Sequence, residues 1–149
     1  LKKLFHELDG QNVMPQGVIL KASMVIAGKG AKKQSSPKDV AKATIKALKA
    51  SVPKNLAGIV FLSGGQGDEQ ATANLNAMNS STLLGASKLP WPLSFSYSRA
   101  IQNPVLKIWS QDTKNNVGKA QQTLLFRSRM NALAAEGKYS DEMESTRGY

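Results

Sequence analysis

One apolar run constrains the fold of this chain more than any other stretch. Residues 58–62 (Gly-Ile-Val-Phe-Leu) contain almost no polar group and end abruptly at Ser63, Gly64 and Gly65. A short apolar run without alternation is typical of a parallel strand that is covered on both faces. The glycine turn exposes backbone N–H groups, and the helical pattern from Asp68 adds the partial positive charge of a helix N-terminus. The stretch therefore suits an anion such as phosphate; a turn that only reverses the chain is the competing interpretation.

Two similar runs flank this one, and helical patterns separate the three. A strand is followed by a helix three times, and the strand starts lie about 40 and 35 residues apart, which predicts a parallel α/β architecture. Ser36, Pro37 and Asp39 form a strong helix start, with an N-cap serine, a proline and an early acid. The predicted elements are strands at about 18–25, 58–62 and 92–97, helices at about 37–50, 68–78, 99–109 and 117–136, and a polar, loose tail at 138–149.

The composition excludes several classes of site. The 149 residues, 41% of them hydrophobic, allow one domain with a real core. The chain lacks cysteine, which excludes disulfides and thiolate zinc sites, and we find no metal-ligand cluster or Walker loop. A Ser-His-Asp triad would have to use His6, the one histidine, for which a surface position is the simpler interpretation. No apolar run reaches the roughly 18 residues of a membrane span. Because residue 1 is Leu, we expect the natural chain to start earlier.

The charge balance leaves several partners open. Twenty Lys and Arg against ten Asp and Glu give a net charge of +10, which suits acidic proteins, acidic lipids, nucleic acid and phosphorylated metabolites. Nucleic acid is disfavoured, because the aromatic residues are not interleaved with the basic ones as a stacking platform requires. Lys38, Lys42, Lys46 and Lys49 share one face of the predicted second helix. That stripe could meet an acidic partner, although a solvated outer helix face is the favoured interpretation.

Three candidate functional groups fall at or near the carboxyl ends of the predicted strands. They are Lys21, the turn from Ser63 to Gly65, and Arg99. Active sites lie at this end in α/β folds. An amine that is partly desolvated near other cations can attack a carbonyl to form an iminium, and a carbon–carbon bond beta to that iminium can then break. The turn and the Arg99 guanidinium would hold a phosphate and so fix the carbonyl. A lysine that only extends into solvent is the alternative for Lys21.

At these positions the chain resembles class I fructose-bisphosphate aldolase. The resemblance runs from about residue 17 to 139, with the motifs in family order and spacing. Met24-Val25-Ile26, residues 129–132 and Ser98 most resemble the trypanosomatid branch. The motifs that carry the family resemblance are residues 20–25 (Leu-Lys-Ala-Ser-Met-Val), 61–66 (Phe-Leu-Ser-Gly-Gly-Gln), 74–79 (Asn-Leu-Asn-Ala-Met-Asn) and 95–100 (Phe-Ser-Tyr-Ser-Arg-Ala).

The resemblance implies roles for individual residues. Lys21 matches the Schiff-base lysine, Arg99 matches an arginine that binds substrate phosphate, and Tyr149 matches a terminal tyrosine that assists proton transfer. Ser98 stands where the family often has a glycine whose N–H holds phosphate, so it keeps the N–H but adds a side chain that could crowd the site. The phosphate loop of the family matches Ser63, Gly64 and Gly65.

The resemblance also implies a whole enzyme of which this chain is one part. It implies the last three strands and helices of a (β/α)₈ TIM barrel, with the acid/base carboxylates in the remaining part. The expected reaction cleaves fructose 1,6-bisphosphate into dihydroxyacetone phosphate and glyceraldehyde 3-phosphate, without a metal or other cofactor, in a homotetramer in the glycosome or cytoplasm. The missing N-terminal barrel half, or a partner chain, would have to complete the barrel. The alternative is a non-catalytic, aldolase-derived structural subunit of a larger assembly.

Overall fold

A three-stranded parallel sheet forms the centre of the fold. The computed structural model describes residues 1–80 and 88–148. Its strands are β1 (Ile19–Ala22), β2 (Gly58–Phe61) and β3 (Leu93–Phe95), in the order β1-β2-β3. Lys21 lies opposite Val60, and Val60 lies opposite Ser94. Both pairings are parallel, so the predicted parallel α/β architecture is confirmed.

Five α-helices accompany the sheet in the described ranges. The start of the second helix, Pro37–Lys49, has the expected cap. The Asp39 N–H donates to Ser36 Oγ at 3.2 Å, and that hydroxyl donates to the Asp39 carboxylate at 2.6 Å. None of the described helices is long and apolar enough to cross a membrane. The helices are α1 (Lys2–Gly10), α2 (Pro37–Lys49), α3 (Asp68–Asn79), α4 (Arg99–Trp109) and α5 (Val117–Ala135), with short 3₁₀ helices at Pro15–Gly17 and Asp141–Thr146.

Helices cover one face of the sheet and leave the other open. Leu20, Ile59 and Phe61 are buried on the covered face, in one core with residues of α2 and α3. On the opposite face Ile19 is 65% exposed, and Val60 is only half-buried. For the described residues, the prediction that 58–62 are covered on both faces is therefore wrong. In a closed barrel the second face would line the interior, and three strands cannot enclose it.

The stretch after α5 is held in place rather than loose. Gly137 ends the helix with φ +70°, and a Cβ there would lie 2.5 Å from the Asn79 carbonyl oxygen, so only glycine fits. Tyr139 is buried; its N–H donates to Asn76 Oδ1 at 3.0 Å, and Asn76 Nδ2 donates to the Tyr139 carbonyl at 2.9 Å. The polar composition of 138–149 hid these contacts, because they are made with a helix about 60 residues earlier in the chain.

A fully buried arginine joins this C-terminal stretch to two helices. Arg127 of α5 donates through Nη1 to the Glu144 carboxylate at 2.7 Å and through Nη2 to Thr72 Oγ1 of α3 at 2.6 Å. Arg147 donates to Glu144 at 2.7 Å and to Asp68 at 3.0 Å. The network therefore fixes the C-terminal 3₁₀ helix close to the start of α3, next to the turn after β2.

Candidate active site at the carboxyl ends of the strands

Lys21 extends from the open face of the sheet. Because side chains alternate along a strand, Lys21 lies on the face opposite the buried Leu20. It is exposed, and its neighbours across the sheet in the same row are Val60 and Ser94. The described residues around it leave Lys21 open to solvent.

The turn after β2 has the geometry that its glycines predict. The Gln66 N–H donates to the Ser63 carbonyl at 3.2 Å, and Gly65 has φ +79°. A positive φ at the third residue of the turn is typical of type II, which favours glycine. A Cβ on Gly65 would meet Ile26 Cδ1 at the ordinary distance of 3.5 Å, so backbone conformation rather than space selects glycine here. The turn therefore presents backbone close to the continuation of β1.

Arg99 lies against this turn. A Cβ built on Gly64 would be 3.0 Å from Leu62 Cδ1 and 3.5 Å from Arg99 Nη2. The guanidinium therefore lies close to Gly64, at a distance where it would just touch a side chain at that position. Arg99 is exposed, and none of the ion pairs within the described residues involves it. An exposed cation therefore lies beside the glycine backbone of the turn.

Ser63 connects the turn to the start of α4. The residue is 3% exposed, and its Oγ accepts a hydrogen bond of 3.2 Å from the Ala100 N–H. Its hydroxyl is therefore engaged with the protein, on the covered side of the sheet. This bond joins the predicted phosphate turn to the backbone that carries Arg99. It is a positioning contact that the sequence did not indicate, because a hydroxyl next to two glycines gives no sign of its partner.

Ser98 precedes Arg99 and is also exposed. Its Oγ donates to the Gln102 side chain at 2.9 Å, and its carbonyl accepts from the N–H groups of Ile101 and Gln102. The hydroxyl is thus directed along α4. Its backbone φ is −100°, a conformation that any residue adopts, so serine causes no strain at this position.

Beyond Arg99, a cavity of about 330 Å³ opens between α3 and α4. Lys107 and Arg147 share its wall with Arg99, and Asp68, which accepts from Arg147 at 3.0 Å, lies in it as well. The carboxylate balances part of the positive charge. The cavity therefore adds room beside the turn after β2 rather than a separate, strongly cationic site.

Sequence reasoning also missed two supports of the turn. Asn74 Nδ2, from α3, donates to Gln66 Oε1 at 2.8 Å and holds the end of the turn. Ile26 contacts the turn from the β1 side, as its distance to Gly65 shows. Both residues lie in or beside motifs that carried the family resemblance, which was the available signal. Tyr149 lies outside the described residues.

The described residues contain no cluster of His, Asp or Glu that could hold a metal ion. What this end of the sheet does offer is an amine on an open strand face, a backbone turn and a guanidinium. Three parallel strands with returning helices, and polar groups at the carboxyl ends of the strands, are typical of a (β/α)₈-type fold. Similarity to known proteins gives the particular family.

The chain belongs to the class I fructose-bisphosphate aldolase family, whose family model matches residues 1–148. It is 55% identical over 139 residues to a probable fructose-bisphosphate aldolase class 1 of Xanthomonas campestris pv. campestris, covering 93% of this chain and 40% of that protein. It is 47% identical over 143 residues to the chloroplastic fructose-bisphosphate aldolase 2 of Arabidopsis thaliana, covering 96% of this chain and 34% of that protein. The chain thus spans about two fifths or less of the length of these relatives.

A solved structure agrees with the fold. Fructose-bisphosphate aldolase from Plasmodium falciparum, crystallised with TRAP and a small-molecule inhibitor, matches with a TM-score of 0.85 and 42% identity, over 93% of this chain and 38% of that one. The predicted fold, the C-terminal part of an aldolase TIM barrel, is confirmed. The Xanthomonas and Arabidopsis relatives are bacterial and plant proteins, so they give no support to the trypanosomatid branch or to a glycosomal location.

Proposed function

We propose that the protein containing this chain is a class I aldolase that cleaves fructose 1,6-bisphosphate to dihydroxyacetone phosphate and glyceraldehyde 3-phosphate. One observation carries the proposal: Arg99 Nη2 lies 3.5 Å from the position that a Cβ on Gly64 would occupy. This contact is at the carboxyl ends of the strands, and Lys21 lies near the same end of β1, on the open face of the sheet. The relatives at 47% and 55% identity bear the name of this enzyme, which supports the choice of substrate.

In this proposal Lys21 performs the covalent step. Its uncharged amine attacks the ketone carbon of the substrate, and loss of water gives an iminium. The bond between C3 and C4 then breaks: its electron pair moves into the iminium to form an enamine, the C4 hydroxyl proton passes to a base, and glyceraldehyde 3-phosphate leaves. Protonation of the enamine at C3 and hydrolysis of the iminium release dihydroxyacetone phosphate and restore the lysine.

The phosphate of the substrate would be held by the turn and by Arg99. The backbone N–H groups of Gly64 and Gly65 are donors at a position without a Cβ, and a guanidinium binds phosphate in a bidentate manner. Because the Ser98 hydroxyl donates to Gln102, we assign phosphate contact to the Ser98 backbone N–H rather than to its side chain. A phosphate fixed in this way places the ketone for attack by Lys21.

The remaining groups would come from outside the described residues. The rest of the barrel, whether from a longer chain or a partner chain, would cover Lys21 and Ile19, exclude water and bring the acid/base carboxylates. Tyr149 is proposed to assist proton transfer. A homotetramer that requires no cofactor, located in the cytoplasm, completes the proposal from the family resemblance.

The test is the rate of fructose 1,6-bisphosphate cleavage by the full-length protein and its variants. Lys21→Arg keeps the charge but cannot form the iminium, so kcat should fall by several orders of magnitude. Lys42→Arg, on the outer face of α2, is the matched control and should leave kcat unchanged. Arg99→Ala removes a charge-assisted contact, and kcat/KM should fall about ten- to a hundredfold. Undiminished activity of Lys21→Arg would reject the proposal.

A non-catalytic, aldolase-derived subunit is the second candidate. The observation that favours it is the open sheet face, on which Ile19 is 65% exposed and Lys21 is solvated, as expected of a surface that another chain covers. This candidate predicts that the protein is obtained only in an assembly with a different chain. Isolation of the protein as an independent, aldolase-active oligomer would exclude it.

A further inference from the structure

Positive charge is concentrated in one part of the chain. Residues 10–67 contain nine Lys, no Arg and one acidic residue, Asp39, which leaves +8 of the net +10 in this segment. The remaining residues contain eleven Lys and Arg and nine Asp and Glu, so they are nearly balanced. The proposed active site uses one of the nine lysines, Lys21. Most of this charge therefore has no role in the chemistry proposed above.

Four of these lysines form a narrow stripe on α2. At about 100° per residue, Lys38, Lys42, Lys46 and Lys49 fall within an arc of about 80°, and they extend over about 16 Å of the helix axis. All four are exposed. The opposite side of the helix is buried, so the stripe is the outermost part of α2. We call these four residues the lysine ridge.

Helix stability accounts for only part of the ridge. Lys46 and Lys49 lie in the last turn, where the helix dipole favours a cation. Lys38 lies in the first turn, where the dipole disfavours one, and lysines at i and i+4 repel one another. Within the described ranges, none of the four forms an ion pair. The nearby Asp39 is already engaged: the Ser36 hydroxyl, and then the charges of Lys42 and Lys33, lower the pKa of its carboxyl. The charge of the ridge is thus available to a partner.

The ridge continues into a cavity at the far end of α2. Lys49, Lys54 and Lys88 line this cavity of about 450 Å³, together with Pro90 and Trp91. It adjoins the chain segments that lead into β2 and β3, at the amino ends of the strands. The turn after β2, which holds the proposed phosphate site, is at the opposite ends of the same strands. The ridge and cavity are therefore distinct from the active site.

We infer that the lysine ridge is a docking surface for an extended, acidic polypeptide segment of a partner protein. Successive ridge lysines four residues apart are separated by about 6 Å along the helix, close to the roughly 6.7 Å between alternate side chains of an extended chain. Carboxylates at every second residue of such a segment would meet Lys38, Lys42 and Lys46 in turn, and Lys49, three residues further on, lies at the cavity. One further acidic or polar side chain can enter the cavity between Lys54 and Lys88.

The details of the surface disfavour other polyanions. Bidentate phosphate recognition selects Arg, and the segment that carries the ridge contains only Lys. Trp91 is 3% exposed, so it cannot stack on a nucleic-acid base. The large hydrophobic residues that are exposed lie outside α2, which leaves this face nothing to insert into a membrane.

The test measures binding of the full-length protein to a fluorescein-labelled deca-glutamate peptide by anisotropy at low ionic strength. The variant Lys38→Gln/Lys42→Gln/Lys46→Gln/Lys49→Gln should bind at least about tenfold more weakly, because four exposed ion pairs are removed. The control removes the same charge elsewhere, from exposed lysines, and should change the affinity less than about twofold. It is Lys2→Gln/Lys3→Gln/Lys114→Gln/Lys119→Gln.

Gln has nearly the same helix propensity as Lys, so both variants should keep their helical circular dichroism. Both should also cleave fructose 1,6-bisphosphate at the wild-type rate, which separates this inference from the proposed function. Equal loss of affinity in the two variants would show that only net charge matters and would overturn the inference. So would absence of peptide binding, or tighter binding to phosphatidylserine vesicles or to a deca-thymidylate than to the peptide.

Discussion

The bond between Ser63 and Ala100 gives the sharpest prediction about how the site is held together. Ser63→Ala removes the acceptor of the Ala100 N–H, at 3.2 Å, and both residues are at most 3% exposed. A buried donor left without a partner costs about 1–3 kcal/mol, more than the loss of an average exposed hydrogen bond. Water cannot readily replace the hydroxyl, because neither residue is accessible.

The same substitution should weaken substrate binding. The bond ties the turn to the backbone that carries Arg99, so its loss allows the guanidinium to move relative to Gly64. If roughly 1 kcal/mol of the phosphate interaction is lost, KM for fructose 1,6-bisphosphate rises about fivefold, with kcat changed much less. Urea denaturation measures the stability, and steady-state cleavage measures KM and kcat.

Ser98→Ala is the matched control. It removes a hydroxyl one residue before Arg99, but that hydroxyl is exposed and donates to Gln102. The backbone N–H is kept, so stability should change by less than about 0.5 kcal/mol, as is usual for surface substitutions. A Ser63→Ala variant with the KM and stability of the wild type, or a larger effect of Ser98→Ala, would refute this role of the Ser63 hydroxyl.

Two further predictions concern the helices that support the site. Arg127→Met removes the buried partner of Glu144 and of Thr72, while Arg147 still pairs with Glu144, so the free energy of unfolding should fall by about 1–3 kcal/mol. Lys138→Met, which removes an exposed pair with Glu136, should cost less than about 1 kcal/mol. Urea midpoints compare the two, and equal effects would contradict the assigned role of the network. Burial raises the pKa of Tyr97 well above its ordinary value of 10.0. The folded state then holds the phenol proton more tightly than the unfolded state does. The stability that protonated Tyr97 contributes is therefore complete below pH 10 and is lost as the pH rises above it. Tyr97→Phe should reduce the loss of stability between pH 9 and 11, and an unchanged pH dependence in thermal unfolding would contradict this.

Local patterns predicted what is determined locally. The repeated succession of strand and helix predicted the parallel sheet, because parallel strands need long crossover connections. Ser36 and Gly137 gave the start of α2 and the end of α5, since a cap is defined within one helical turn. The glycines at 64 and 65 predicted a turn with exposed backbone, and its positive φ needs no distant partner.

Contacts between distant segments could not be predicted in the same way. Arg127 lies on the same helix face as the buried Met130 and Asn131, which indicates that its side chain is directed inward. Its partner Glu144 lies beyond the helix, in a segment with the composition of a polar tail, so the sequence did not indicate the pair. The apolar composition of 58–62 predicts that both faces of β2 are buried in the complete protein. It does not indicate which segment or chain covers each face. A few short motifs carry little information about the branch, and the similarity to bacterial and plant relatives does not support the trypanosomatid assignment.

The most direct test of the central claim is to trap the intermediate on the full-length protein. Incubation with dihydroxyacetone phosphate followed by borohydride reduces an iminium to a stable secondary amine, and peptide mapping by mass spectrometry locates it. One adduct per chain at Lys21, absent in Lys21→Arg and reduced in Arg99→Ala, is the predicted result. No adduct, or an adduct on other exposed lysines with Lys21 unmodified, would contradict the proposal that this amine and the neighbouring phosphate turn form one active site.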